Sequence, residues 1–419
     1  MALDTKTELK KAIGTIRWGS WFGDRELELP FPPGWQVETF APADGEAMSD
    51  SQIEAAFANP IGTRRLAELA AGRRSPCIVV DDLSRPTPTH RLMPFIFREL
   101  RKAGIDPSDV LILGGVANHR PMTRADFQKK IGGPALKLCR VRNHFSWDGC
   151  VSVGRTKHGT PVEINAEFMA SDLRILVGSI LPHLAAGFSG GAKLLIPGVA
   201  SNATAAAWHG PGGPAPALAE VSPPTRTDIE EAARMVGVDC IVNVIPNSRR
   251  EITGLVVGDV VEAHRRGVEM ARRVFSTRTP ANWDVCVLSA YPKDNEFLQH
   301  ELAYNVWHTA PEPIVHEGGT VVVATATSEG PGFHSLEGPR MRLWPGPELR
   351  GPVSPRTLAF FAPGINRNDL MGIEDDRVHV LATWRQTVKL LSRLHGDQAR
   401  VAVFPCAAMQ LAEVVCRPS

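Results

Sequence analysis

PCIVVDDLSRPTPTHRLMPFIFRELRKAGIDPSDVLILGG, residues 76–115, contains one complete strand–helix–strand unit. Cys77-Ile78-Val79-Val80 is a short apolar, β-branched run, as expected of a strand covered on both faces. Leu92, Ile96, Leu100 and Ala103 then recur at helical spacing, and Gly104 is placed to stop the helix. A second apolar run follows at residues 110–113. Strand, helix and strand at this spacing predict a parallel sheet in an α/β fold.

The same alternation extends in both directions. Further strands are expected at residues 174–177, 241–245, 285–288, 320–324, 378–381 and 401–404. Asp259 can cap a long helix running through His264 and Met270 to about residue 274. Thr279-Pro280 then breaks the pattern, because proline cannot continue a helix. This predicts two α/β domains, residues 1–278 and 279–419, with the last residues left free to pack back on the first domain. Residues 210–224 are rich in Gly and Pro and read as a surface excursion, and the prolines of residues 331–355 read as loops.

Of 419 residues, 46 are Lys or Arg and 45 are Asp or Glu, a balance that argues against a general nucleic-acid binder but leaves room for a local anion site. The polar start MALDTKTELKKAIG has no apolar signal core. The apolar stretch at residues 174–188 carries Arg, Pro and His and falls short of a membrane helix. The seven cysteines stand singly, with no C-x-x-C pair. The chain therefore reads as soluble, reduced and cytoplasmic, with no membrane partner.

Polar residues cluster just after expected strands, where open α/β folds place their ligands. Asp81-Asp82-Leu83-Ser84-Arg85-Pro86-Thr87-Pro88 gathers hydroxyls, backbone N–H groups and a guanidinium suited to phosphate or carboxylate, or else forms a proline-rich turn with a structural Asp–Arg pair. Gly114-Gly115-Val116-Ala117-Asn118-His119 puts a histidine in a post-strand loop, where it can exchange protons or be structural. His183-Leu184-Ala185-Ala186-Gly187-Phe188-Ser189-Gly190-Gly191-Ala192-Lys193 ends in a lysine able to hold phosphate, to act as a nucleophile if desolvated, or simply to face solvent. Its glycines allow backbone to approach a ligand closely. It lacks P-loop spacing, and its formal G-x-S-x-G match has no strand ending at the serine. A helical run then ends at His209. Imidazole suits nickel, copper and zinc, but spacing does not separate three ligands from one ligand and two bases. Tyr291-Pro292-Lys293-Asp294 places one more lysine after a strand of the second domain.

Taken in order, DDLSRPTP (81–88), ANHRPMT (117–123), HLAAGFSGGAKLLIPG (183–198), AAAWHG (205–210) and YPKD (291–294) resemble the nickel-pincer lactate racemase family. The resemblance spans most of the chain. It implies two α/β domains with the active site between them, and a nickel-pincer nucleotide (pyridinium-3-thioamide-5-thiocarboxylic acid mononucleotide) tethered to the lysine matching Lys193. It further implies His209 as the nickel ligand, and His119 and His183 as a pair of bases serving opposite faces of the substrate. Arg85 matches the arginine that orients the substrate carboxylate, and Lys293 is the candidate second cation. Asp82, Ser84, Thr87, Gly190 and Gly191 would lie against the cofactor.

The implied activity is racemisation of a small 2-hydroxy acid through hydride transfer, dependent on cofactor-synthesis enzymes. Oligomeric state is left open. Asn118 departs from the smaller residue that lactate enzymes carry before this histidine. A polar wall there favours malate, with lactate or another short 2-hydroxy acid as the alternative. A homologue that binds nucleotide or hydroxy acid without catalysis is the alternative of another class.

Overall fold

A computed structural model describes residues 12–210, 217–338, 340–344, 346, 355–370, 373 and 375–416. Much of the Gly/Pro-rich 210–224 stretch and of the 331–355 loops thus lies outside the described residues. The fold is α/β, and the chain groups into two compact units. Unit I comprises the described residues of Pro42–Ser276, Gly332–Glu348 and Glu413–Ser419; unit II comprises those of Met1–Ala41, Thr277–Pro331 and Leu349–Ala412.

Unit I is built on a six-stranded sheet ordered Ile252–Gly258, Cys240–Pro246, Leu173–Ser179, Pro76–Asp81, Leu111–Gly115, Arg140–Asn143. All neighbours are parallel except Ile252–Gly258, which folds back antiparallel on Cys240–Pro246. The helix expected through Leu92, Ile96, Leu100 and Ala103 runs Thr89–Lys102, and Gly104 beyond it has φ +82°, where glycine has no Cβ penalty. Its Leu92, Ile96 and Leu100 share one buried cluster with Ile78 and Val80 of the central strand. Each such side chain, fully buried, contributes about 1.5–3 kcal/mol. The helix expected after Asp259 runs Glu262–Phe275, with the Asp259 carboxylate accepting from the N–H groups of Val261 at 2.9 Å and Glu262 at 3.0 Å.

Unit II holds a second parallel sheet, ordered Val378–Leu381, Thr357–Phe361, Val315–Ala324, Trp283–Ser289, Arg400–Phe404, Gln36–Thr39. Its last strand corrects the expected domain division, because residues before Ala41 group with the C-terminal half of the chain. Val37 pairs with Val401, and Phe40 donates its N–H to Val403 O at 2.8 Å. Ile16, Trp18, Leu29, Phe31 and Trp35 are buried in a cluster with Val285, Val401 and Val403. Among the described residues, no helix is long and apolar enough to cross a membrane.

Ile16 is fully buried in that shared cluster. Ile16→Ala should destabilise unit II by about 2–5 kcal/mol in denaturant unfolding. A loss below about 1 kcal/mol would contradict the grouping of the N-terminal segment with this sheet.

Candidate active site

In unit I the chain moves outward from Pro76–Asp81 to Leu111–Gly115 and Arg140–Asn143 on one side, and from Leu173–Ser179 to Cys240–Pro246 on the other. Pro76–Asp81 and Leu173–Ser179 are neighbours, with Val80 opposite Val177. The loops beyond their carboxyl ends therefore diverge at a topological switch point, where open α/β sheets bind ligands. These loops carry the DDLSRPTP turn and the glycine-rich segment.

The first turn is held from within. Lys130, fully buried, donates to Asp81 Oδ1 at 2.7 Å and to the carbonyls of Arg85 at 3.0 Å and Thr87 at 3.4 Å. The Thr87 hydroxyl donates to the other oxygen of Asp81, so Thr87, expected against the cofactor, is engaged beneath the turn. Asp82 Oδ1 accepts from Ser84 N at 2.9 Å and from the Ser84 hydroxyl, which in turn accepts from Arg85 Nη1 at 2.7 Å. Asp82 Oδ2 lies 3.6 Å from His119 Nδ1. Burial works against the Asp82 charge, but His119 (when protonated), Arg85 and Ser84 outweigh it and hold the carboxyl below its usual range.

Residues 187–192 of the glycine loop are all buried. Three buried side chains from other elements satisfy the backbone of this loop. Arg226 donates to Gly190 O at 3.1 Å and to Phe188 O, and His264 Nε2 donates to Ser189 O at 2.9 Å. Asn243 Oδ1 accepts from Gly191 N at 2.6 Å. Gly190 and Gly191 have φ of +75° and +55°, and a Cβ on them would stand 2.8 Å from Asn243 Oδ1 and 2.9 Å from the His264 ring. These glycines thus admit buried protein groups behind the loop, a need the sequence reading assigned to a ligand. Ser189 accepts from Leu181 N at 3.0 Å and donates to Ser179 O at 2.8 Å, so its hydroxyl is structural and no nucleophile elbow exists.

Lys193 leaves this loop with its ammonium 4.1 Å from the centre of the Trp208 ring, a cation–π contact. Trp208 also meets His209 edge-to-face, ring centres 4.4 Å apart. The helix Asn202–His209, capped by Ser201, positions both rings. His209 Nδ1 lies 3.0 Å from Ala205 O. A carbonyl can only accept, so the proton sits on Nδ1 and Nε2 keeps its lone pair. Burial, then Lys193, hold His209 well below its ordinary pKa, which keeps the ring neutral.

His119 is likewise neutral, because burial pushes it down to about 3 against the opposing pull of Asp82. The Asp82 carboxylate facing Nδ1 favours the proton there and leaves Nε2 as the acceptor. His183, on the short hairpin strand Pro182–His183, differs. Its Nδ1 accepts from Ala185 N at 3.1 Å and Ala186 N at 3.3 Å, so its neutral form carries the proton on Nε2.

Asp82, Ser84, Arg85, His119, Lys193 and His209 thus gather at one end of the unit I sheet. Lys293 is 1% exposed and belongs to unit II. Asn118 is buried, with its amide donating to Ser335 Oγ at 3.0 Å and Ser146 Oγ at 3.4 Å, so it is spent within the protein and gives no polar wall for a second carboxylate. The sequence reading missed His334, whose ring centre lies 5.3 Å from that of His119. His334 sits in a Gly/Pro-rich stretch, GPGFHS, that composition marks only as loop. The three side chains behind the glycine loop carried no local signal, since each is buried in an element far along the chain.

Residues 22–212 match the lactate racemase N-terminal domain model. The lactate racemase of Lactiplantibacillus plantarum is 31% identical over 305 residues, covering 68% of this chain and 68% of that protein. This chain belongs to the lactate racemase family. The lactate racemase of Thermoanaerobacterium thermosaccharolyticum is 30% identical over 295 residues, with 68% of each chain covered. The solved lactate racemase apoprotein from the same organism shares the fold, with a TM-score of 0.73 at 22% identity over 95% of this chain and all of that one. A Thermotoga maritima structure is also similar, with a TM-score of 0.65 at 16% identity over 88% of this chain and 99% of that one. The matched N-terminal region of the family contains every gathered residue from Asp82 to His209, but neither Lys293 nor His334.

The depressed His119 pKa makes a stability prediction. Its folded value, about 3, lies below the ordinary 6.5, so the unfolded chain takes up the proton first as pH falls. This contribution is complete above the ordinary value and is lost as pH falls toward about 3. Between pH 7 and pH 5, His119→Gln should reduce the fall in unfolding free energy of unit I by about 2 kcal/mol. An unchanged pH slope in denaturant titrations would contradict the assignment.

Proposed function

We propose that this protein interconverts the enantiomers of a short 2-hydroxy acid, with a nickel-pincer nucleotide tethered to Lys193 and its nickel ligated by His209. The observation that carries this reading is that Lys193 and His209 share the Trp208 ring, one as the amine to be tethered, the other as a neutral imidazole with a free Nε2. The racemase activity named for the curated relatives supports it. Among the described residues, no group of three or more His, Cys, Asp or Glu side chains could hold a metal ion, so a metal here requires donors from the bound group. Sulfur with imidazole is a suitable donor set for nickel. When bound, that group supplies a reversible acceptor for the hydride of the substrate's carbinol carbon.

The chain's own residues perform the remaining work. Arg85, whose guanidinium Nη1 donates to the Ser84 hydroxyl at 2.7 Å, is suited to bind the substrate carboxylate through its other N–H groups. His119 takes the hydroxyl proton on Nε2, and Asp82 stabilises the imidazolium formed. The carbon–oxygen bond becomes a carbonyl, and return of hydride and proton from either face gives either enantiomer. His183 offers an Nε2–H to a substrate oxygen in its neutral form and becomes a base only after moving that proton. Malate loses the ground that Asn118 gave it, and lactate is the simplest substrate consistent with the family. The free state of all seven cysteines suits a reduced, cytoplasmic setting.

Enantiopure lactate and malate assayed with cofactor-loaded protein test this reading. His119→Ala should lower racemisation in both directions by about 10²–10⁴-fold. Near-normal inversion by that variant would remove His119 from the mechanism. Lys193→Ala should lose the covalent mass increment seen in the loaded wild type, and His209→Ala should retain less nickel on dialysis than His119→Ala or His183→Ala. An unchanged increment, or equal nickel in the three histidine variants, would overturn the respective role.

A further inference from the structure

His334 reaches the site from more than two hundred residues beyond His119 (roughly 200 positions, a separation no local sequence rule spans). Its backbone forms an isolated antiparallel bridge with His119. Ser335 N donates to Asn118 O at 2.8 Å, and Asn118 Nδ2 donates to Ser335 Oγ at 3.0 Å, so the two segments are fastened through both backbone and side chain. The His119 and His334 rings meet edge-to-face, with centres 5.3 Å apart and planes at 71°. Arg85, Lys193 and Asp82 are all close enough to act on the His334 charge.

Their surroundings favour opposite neutral forms of the two imidazoles. His334 Nδ1 accepts from Leu336 N at 3.3 Å and Glu337 N at 2.9 Å, which leaves its neutral ring with the proton on Nε2. His119 Nδ1 lies 3.6 Å from Asp82 Oδ2, beyond hydrogen-bond distance, and the carboxylate charge favours the neutral tautomer with its proton on Nδ1 and its lone pair on Nε2. One ring is therefore a donor and its neighbour an acceptor. Two hydrogen bonds of about 2.8 Å to one shared atom allow their ring nitrogens to lie up to roughly 5.6 Å apart, a span compatible with the ring separation.

The geometry points to His334 as a further catalytic residue, whose Nε2–H donates to the same substrate oxygen from which His119 takes the proton. This rests on the racemase reading above. As the hydroxyl O–H bond breaks, its proton goes to His119 Nε2 and its electron pair builds negative charge on the oxygen; that charge passes into the forming C=O bond as the carbinol hydrogen leaves with its bonding pair for the acceptor that the bound group would supply. His334 keeps its own proton throughout and stabilises that oxygen. A fixed donor of this kind acts more strongly on the transition state than on the bound alcohol, so it belongs in kcat more than in KM.

The test compares wild type, His334→Phe and His334→Gln as cofactor-loaded enzymes on enantiopure lactate, with histidine-¹⁵N NMR of the unloaded proteins. Phenylalanine keeps the bulk against His119 without a donor, and glutamine restores an N–H. His334→Phe should lower kcat by about 10²–10³-fold with KM changed far less. His334→Gln should recover at least about tenfold of that loss, a rescue that a merely structural role would not give. The NMR spectrum should show one Nε2–H tautomer that disappears in both variants. Wild-type activity with a His334→Phe kcat within about threefold of it, or no rescue by glutamine, would overturn this role and leave the racemase reading standing. A loaded wild type that racemises neither lactate nor malate would overturn both.

Discussion

A buried loop must find partners inside the protein for every polar group of its backbone, and residues 187–192 form such a loop. Each buried group left unpaired costs about 1–3 kcal/mol. Arg226, Asn243 and His264 meet that demand from two helices and a strand, and their bulk requires glycine at 190 and 191. Lys193 consequently leaves the loop at a fixed point beside Trp208. The Lys130–Asp81 pair performs the same task for the neighbouring turn that carries Asp82 and Arg85. Both loops open at one switch point of one sheet, so the position of the site follows from strand order and its rigidity from buried polar contacts.

Within that frame, each histidine's role is set by what its second nitrogen touches. His209 donates its Nδ1–H to a carbonyl and is left neutral with its lone pair on Nε2. His119 faces a carboxylate and is left as an acceptor. His183 and His334 use Nδ1 to cap their own turns and are left as donors. Side chains of one type are thus left with Nε2 acceptors at two positions and Nε2–H donors at two others.

Much of the fold was legible from continuous apolar runs. Every strand expected from such a run is present, because central parallel strands are buried on both faces and advertise it. Ile252–Gly258 and the interior strand Thr357–Phe361 were also missed although largely buried, and Gln36–Thr39 and Arg140–Asn143 escaped notice because they are edge strands with exposed residues, identified only by their partners. That is also why the N-terminal segment was assigned to the wrong unit. The ordered motifs singled out Asp82, Arg85, His119, Lys193 and His209, which the structure brings near one another. They could not reveal that Thr87 and Asn118 turn inward, since a hydroxyl or amide in a loop looks the same whether it meets a ligand or a buried neighbour. His334 was invisible for the complementary reason: its significance lies in a contact between distant segments.

The central claim is that His119 moves only the hydroxyl proton while the carbinol hydrogen leaves and returns as hydride. Enantiopure lactate deuterated at C2, incubated in ordinary water with cofactor-loaded enzyme, tests it most directly. Chiral separation with mass analysis should show the opposite enantiomer accumulating toward an equal mixture with deuterium kept at C2. Inversion with deuterium lost to solvent, or no inversion at all, would contradict the account.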